Sequence, residues 1–464
     1  MYSFWLYGLR KSYRYLSVFN FVIITYKGAK MTHRQYLKLS IPLIITGLSV
    51  PMLGAVDTAV AGRLGDPSYI GGVAVGTLIF NNLYWLFGFL RVSTTGFTAQ
   101  AAGAKHDEQL AYAFIRPLLI AILLGVVFIT AQKPILLAAM HLIGGSDAVL
   151  QQAGIYFDIR IWGAPFALLN YTITGWLIGV SKVKLTLVSQ LFANVLNMLL
   201  GIWLAVQLDW GVAGIAVATL VSEIISVAIG FVIIRYSKQF ALVHLQIREL
   251  FDLCHIKKMV IVNRDLFLRT ICLLVMTSLF MVQAARMDET VLAANAILLQ
   301  LHYLLAYVFS GLANASSIVA GQAAGEGNIN GYRTALKLSA VWGALFAVLM
   351  GLVLIVDPLD FVSWFTGDLQ VQLAVREHMF WIALYSIAGV WGLQLEGIFS
   401  GVTQAWAIRN GIFISLLIYI PVNWIAGLSW GSHGIWLSFV IFHLMRTVCT
   451  SMYTGRVQRS IYSS

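Results

Sequence analysis

Twelve apolar runs of about 20 residues follow one another along this chain, and any fold it adopts must house all of them. They lie at 39–61, 70–90, 112–131, 155–178, 185–207, 212–234, 266–285, 291–312, 335–356, 378–400, 410–428 and 434–454. A helix of that length spans the roughly 30 Å hydrocarbon core of a bilayer. The expected fold class is therefore all-α integral membrane, with twelve transmembrane helices. A soluble globule draws about a quarter of its residues from the charged set. Here 11% are charged, 59% are hydrophobic and the mean hydropathy is +0.83 over 464 residues, which excludes both a soluble domain and a disordered chain. The supply of 14 Trp, 26 Phe and 40 Gly suits helices that are anchored at interfaces and packed closely in lipid.

Charge placement tests this topology. With the N-terminus inside and loops alternating between sides, all but five of the 30 Lys and Arg fall on the cytoplasmic side; Arg63, Lys133, Arg160, Arg286 and Arg376 fall outside. Such a bias fixes orientation, with both termini in the cytoplasm of a bacterial-type inner membrane. The net charge of +11 is thus a cytoplasmic collar rather than a nucleic-acid surface. The longest polar connection, Arg235 to Asp265, separates helices six and seven. The expected division is an N-terminal extension at 1–30, a first lobe at 31–235, a cytoplasmic linker at 236–265 and a second lobe at 266–464. The extension is aromatic and basic and is open to three readings: an interfacial helix, a cleaved signal, or sequence upstream of a true start at Met31. The last is favoured, because Met31 to Leu37 already reads as a cytoplasmic lead-in.

The chain also repeats itself. Ala99-Gln100-Ala101-Ala102-Gly103 is echoed by Gly321-Gln322-Ala323-Ala324-Gly325, an offset of 222. The same offset relates Asp66 to Asp288 and Gly175/Gly179 to Gly397/Gly401, and an offset of 220 relates Trp210-Gly211 to Trp430-Gly431. The halves each hold six helices, so they start on the same side and are related by a pseudo-two-fold axis along the membrane normal. Close helix packing alone explains single glycines. It does not explain a register held over so much of the chain.

Three acids fall within the runs: Asp57, Glu223 and Glu396. A carboxylate at the centre of a spanning helix costs roughly 2.5–3.5 kcal/mol on insertion scales, so it marks a cavity, an ion or proton site, or a helix end that reaches water. Asp57 is the leading functional residue. Asn194 and Asn197 share a face of helix five, and helix six brings Thr219, Ser222 and Glu223; with Asp57 these are the candidate proton or cation coupling set. Glu223 is either a second protonatable group or the partner of a basic residue such as Arg235. Candidate substrate-cavity residues are Asp57, Asn81, Tyr84, Asn170, Gln283, Gln300 and Glu396, with Asn82, Gln394 and Asn423 as further polar side chains. Pro42 and Pro51 break the hydrogen-bond ladder of helix one at two places, so a bend there would move Asp57.

No Gly-x-x-x-x-Gly-Lys-Ser/Thr loop exists to bind a nucleotide, and no nucleophile motif points to an enzyme. Cys254, Cys272 and Cys449 are scattered, and the nine His have no metal spacing. No cofactor is expected beyond an ion gradient.

Taken together, Pro42-Leu43-Ile44, the stretch Val56-Asp57-Thr58-Ala59-Val60-Ala61-Gly62-Arg63-Leu64-Gly65, and the paired Gln100/Gly103 and Gln322/Gly325 segments resemble the MATE family of multidrug and toxic compound extrusion transporters. Asn194-Val-Leu-Asn197 with Trp210-Gly211 to Thr219 is similar to its DinF-type branch, and the likeness runs from about Tyr36 to Thr454. The resemblance implies an antiporter that exports organic cations or other amphipathic small molecules against protons or sodium. It further implies Asp57 as the coupling and substrate-linked site, with Asn197 and Thr219 beside it and Pro42 as the family's first-helix proline. Many relatives carry a second Asp where this chain has Gly201. With one carboxylate fewer the site is a poorer cage for a metal ion, which needs several oxygen ligands, so proton coupling is favoured over sodium. In the expected cycle, protonation of Asp57 from outside releases the substrate outward. The chain is expected to act as a monomer in the bilayer, with no nucleic-acid partner. A lipid-linked saccharide flippase of the related superfamily is the rival reading; it calls for a cationic cavity.

Overall fold

The computed structural model describes residues 31–237, 246–356, 362–363 and 365–462, so the readings made for 1–30 lie outside the described residues. All regular structure among them is helical. The first crossing, α1 (His33–Ala61), begins with a reciprocal cap in which Gln35 N–H donates to Thr32 Oγ1 at 3.4 Å and Thr32 N–H donates to Gln35 Oε1 at 2.9 Å. It stays one helix through Pro42 and Pro51. The second crossing is α2 (Pro67–Leu86), capped by the Asp66 carboxylate and started by Pro67 at its first turn, followed across a break at Phe87 and Gly88 by α3 (Phe89–Ala104). The third is α4 (Asp107–Thr130). A short α5 (Gln132–Ile143) leads to the fourth, made of α6 (Asp147–Arg160), a 3-10 turn at Ile161–Gly163 and α7 (Ala164–Gly179). The fifth and sixth are α8 (Val183–Gly201), which ends in a π turn at Ile202–Gln207, and α9 (Gly211–Arg235).

After the one-turn α10 (Ile247–Leu250) come α11 (Leu253–Ala284), α12 (Glu289–Gly325), α13 (Ile329–Val356) and α14 (Leu369–Gly401), crossings seven to ten. The long α15 (Ala405–Ser451) supplies the last two, because Gly431 adopts φ 55°, ψ −130° and breaks it. The short α16 (Thr454–Tyr462) closes the described chain. Among the described residues, ten stretches are each long and apolar enough to span a bilayer. The count of twelve crossings follows once Ala405–Tyr462 is divided at Gly431 and the fourth crossing, broken by its 3-10 turn, is added.

Several helices outrun their apolar runs. The second crossing continues to Ala104 and the eighth to Gly325, and α11 starts at Leu253, so part of the expected 236–265 linker is helix. Residues 238–245 of that linker are not among the described ones. The extensions of α3 and α12 are rich in Ser, Thr, Ala, Gly and Gln, which hydropathy does not flag, and contact between the lobes holds them; that of α11 carries Lys257, Lys258, Arg264 and Asp265.

That contact follows the sequence repeat. A Cβ on Gly103 would lie 2.1 Å from the Gln322 carbonyl oxygen, and one on Gly325 would lie 2.0 Å from that of Gln100. The two glycines let α3 and α12 touch backbone to backbone through a reciprocal, pseudo-two-fold crossing. The glutamines between them reach outward in matching fashion. Gln100 Nε2 donates to Gly401 O at 3.0 Å and Thr403 Oγ1 at 3.1 Å, while Gln322 Nε2 donates to Ser181 Oγ at 3.0 Å. Ser181 and Thr403 are themselves 222 residues apart, and both hold positive φ, 62° and 56°.

Chain order does not define the two hydrophobic interiors. One gathers Val60, Phe80, Phe157, Trp176 and Ile215 of the first half. The other gathers Phe280, Phe309, Tyr385 and Phe439 of the second half, and it also takes Tyr36, Leu39, Leu43 and Ile44 from the start of α1. Tyr36 Oη lies 2.7 Å from Ser316 Oγ and donates to Leu312 O at 3.1 Å, and Ile44 packs on Gly311. Further along α1 the attachment switches, for Asn194 Nδ2 on α8 donates to Ser49 O at 3.3 Å. Pro51 and Asp57 lie beyond the switch, so α1 ties one lobe to the other.

Candidate functional site: ionic side chains along both lobes

Asp57 is 6% exposed, and its carboxylate makes no hydrogen bond among the described residues. The charge it senses is the guanidinium of Arg160, from the last turn of α6. Arg160 had been assigned by loop position to the outside; the structure buries it in the first lobe. Its Nη1 donates to Glu223 Oε1 at 2.7 Å, and the guanidinium lies over the rings of Phe80 and Tyr84, 5.2 and 5.7 Å from their centroids. Gly163 makes room for this pair, since a Cβ there would lie 2.6 Å from Glu223 Oε2. Of the two readings of Glu223, the structure presents the paired one, with Arg160 rather than Arg235 as partner.

Because the pair is buried, removing one member strands the other. Arg160→Ala is expected to destabilise the protein by about 3–5 kcal/mol, and Arg160→Ala with Glu223→Ala by clearly less. Thermal unfolding of the detergent-solubilised single and double variants checks this; additive losses would mean that the two charges act independently.

Beside this ionic group, Asn197 Nδ2 donates to Thr219 Oγ1 at 2.8 Å and the Thr219 hydroxyl donates to Ile215 O at 3.0 Å, joining α8 to α9. Asn197 Oδ1 is left buried without a partner. Asn194 does not join them: it accepts from Gln190 Nε2 at 3.0 Å and donates to α1. The Ser222 hydroxyl donates within its own helix, to Ala218 O.

The candidate cavity residues do not converge. Tyr84 stands at the Arg160 pair, and Asn170 Oδ1 accepts from Ser226 at 3.4 Å inside the first lobe. Asn81, Asn82 and Gln300 are exposed, and Gln283 is buried in the second lobe beside Gly427. Gln394 bonds to Ser316, Ser339 and Phe309 O, and Asn423 accepts from Ser438. Glu396 is clamped. Arg269 donates Nε and Nη2 to its Oε2 at 3.2 and 2.8 Å, and Arg446 bonds its Oε1. A cavity role for Glu396 thus gives way to a buried ion triad, against which Tyr385, His302 and His443 pack with ring centroids 4.4–5.6 Å apart.

Three arginines carry these ion pairs, and loop counting had missed all of them. A signal was present: Arg160, Arg269 and Arg446 fall inside apolar runs.

A twelve-crossing, two-lobed helical body with ionised groups inside both lobes is the architecture of a secondary transporter. The sequence profile of the MatE family matches residues 42–203 and 266–425, once in each half, and the chain belongs to that family. It is 33% identical over 416 residues to the DNA damage-inducible protein F of Escherichia coli K12, covering 88% of this chain and 89% of the relative. A probable multidrug resistance protein NorM of Acinetobacter baylyi is 23% identical across 89% of this chain and 93% of its own length. Among solved structures, a MATE protein in the straight conformation superposes with a TM-score of 0.83 at 18% identity, covering 93% of this chain and 97% of that one. An outward-facing multidrug resistance MATE transporter of the MOP superfamily superposes with 0.82 at 19%, with the same coverage. Both share the fold.

Proposed function

We propose that this chain is a proton-coupled exporter of amphipathic organic compounds, lying in an inner membrane with both termini in the cytoplasm. Relatives named for multidrug resistance support the export reading. The observation that carries the coupling is Asp57: a buried carboxylate without a hydrogen bond, on a helix whose first half is anchored in the opposite lobe. Protonation removes its attraction to Arg160. The half of α1 beyond Pro51 then loses its electrostatic tie to the first lobe, and the strain passes through the prolines to the seal at Tyr36, Ile44 and Gly311. With cytoplasmic termini, the contacts between α1, α3 and α12 close the cytoplasmic side.

Purified protein in liposomes is expected to move a fluorescent amphipathic substrate under an imposed pH gradient and not under an equal sodium gradient. Movement under sodium alone would replace the proton with a cation at the same site; movement under neither would remove the antiporter reading.

A further inference from the structure

Within the spanning helices, Asp57, Arg160, Glu223, Arg91, Arg269, Glu396 and Arg446 form a row that crosses from one lobe to the other. In this row four cations face three carboxylates; the buried Asp265 of α11, one turn before Arg269, is taken by Arg264 and Arg409. Glu223 serves Arg160, and Glu396 serves both Arg269 and Arg446. Arg91, on α3, pairs with no carboxylate and makes no hydrogen bond among the described residues. An unpaired guanidinium inside a membrane protein is costly to keep, so a counter-charge at that position is worth several times what it would be in water.

The surroundings of Arg91 come from four helices and both lobes. On its own side, α7 lies directly against it, since a Cβ on Gly175 would lie 2.6 Å from the Arg91 carbonyl oxygen; Tyr171, one turn earlier on α7, is within electrostatic reach of the guanidinium. From the second lobe come Tyr307 on α12 and Arg269 on α11. The α3–α11 approach is fixed by ring contacts of Phe267 with Phe87 and Phe89, centroids 6.0 and 6.1 Å apart, two residues before Arg269 and Arg91 respectively. Neither tyrosine hydroxyl has a hydrogen-bond partner among the described residues. This junction thus brings together one guanidinium without a carboxylate partner among the described residues, a second that shares its carboxylate with Arg446, two phenols and three Phe rings.

We infer that Arg91, with Tyr171 and Tyr307, is the binding site for the anionic end of an amphipathic substrate, a carboxylate or sulfonate whose apolar body lies against Phe87, Phe89 and Phe267. A guanidinium offers a carboxylate two parallel donors, and the phenols complete the shell. A quaternary ammonium in the same place would meet two guanidiniums. This deepens the exporter reading above by reversing the substrate charge expected from the sequence.

The test is equilibrium binding to the full chain in lipid nanodiscs, read by energy transfer from Trp to a dansyl probe. The probes are 11-(dansylamino)undecanoate, its methyl ester, and the matching dansyl alkyl trimethylammonium. The acid is expected to bind at least about tenfold more tightly than the ester or the ammonium. Arg91→Gln is expected to remove that advantage, Arg91→Lys to keep part of it, and Tyr307→Phe to weaken the acid without touching the ester. Equal binding of acid and ester by the unaltered chain, or tightest binding of the ammonium, overturns the proposal even if the variants fail to fold. Undiminished acid preference in Arg91→Gln overturns it as well. Binding needs no gradient, so the two readings fail separately. A chain that binds the acid but moves nothing refutes export, and one that moves only the ester or the ammonium refutes the anion site.

Discussion

Asp57→Asn is expected to abolish gradient-driven export while leaving a folded, monodisperse membrane protein. Asn matches the shape of the protonated acid but has no proton to release, so the coupling step is lost rather than slowed. Stability is expected to hold or rise slightly, because a buried carboxylate without a hydrogen bond is an unfavourable group to bury and its removal leaves the Arg160 to Glu223 pair intact. Substrate efflux from liposomes and thermal unfolding, measured on one preparation, check both halves. Efflux at the unaltered rate would sink the coupling role of Asp57; collapse of the fold would mean that its charge is structural.

The second large effect is expected at the crossing of α3 and α12. Gly325→Val and Gly103→Val each direct side-chain atoms at a backbone carbonyl of the opposite lobe, where even a Cβ finds its neighbour at 2.0–2.1 Å. No rotamer change relieves a clash with backbone, so the helices must separate. The Gln100 bond to Gly401 and the Gln322 bond to Ser181 then part as well. The cost exceeds the roughly 1–3 kcal/mol usual for overpacking. Because the contact lies between lobes rather than within one, the expected result is an opened cytoplasmic side. With the exposed Cys254 replaced by Ser, Gln322→Cys should react with a membrane-impermeant maleimide added from that side in Gly103→Val, and stay protected where Gly103 is kept. Equal labelling of both would show that the lobes do not depend on this crossing. Gly65, with open space around it, is the control position, although its φ of 83° adds local strain to any substitution.

The pseudo-two-fold crossing was legible as a repeat. Glycine at both 103 and 325, each three residues after a glutamine, announced matching environments before any contact was known. What the repeat did not reveal was that the two copies face each other, since an offset along the chain carries no direction in space. Asp57 was likewise legible, because a carboxylate in an apolar run is conspicuous by composition alone.

The arginines were legible only in part. Arg160 lay inside an apolar run, yet a count by loops placed it in water; in the fold it faces Glu223, whose partner on sequence grounds was Arg235 or another basic residue. Glu396 read as a possible cavity acid and is instead held by two guanidiniums from α11 and α15. The first turns of α1 are buried with the second half of the chain, a pairing that no local pattern marks.

The sequence by itself determined the helical membrane class, the twelve crossings and the two-fold repeat, because hydropathy, helix length and periodicity are properties of contiguous residues. Only the tertiary structure decided which charges cancel and which remain. Pairing depends on the depth and rotation of helices far apart in the chain, and that geometry leaves Arg91, rather than any of the acids first singled out, without a carboxylate partner among the described residues.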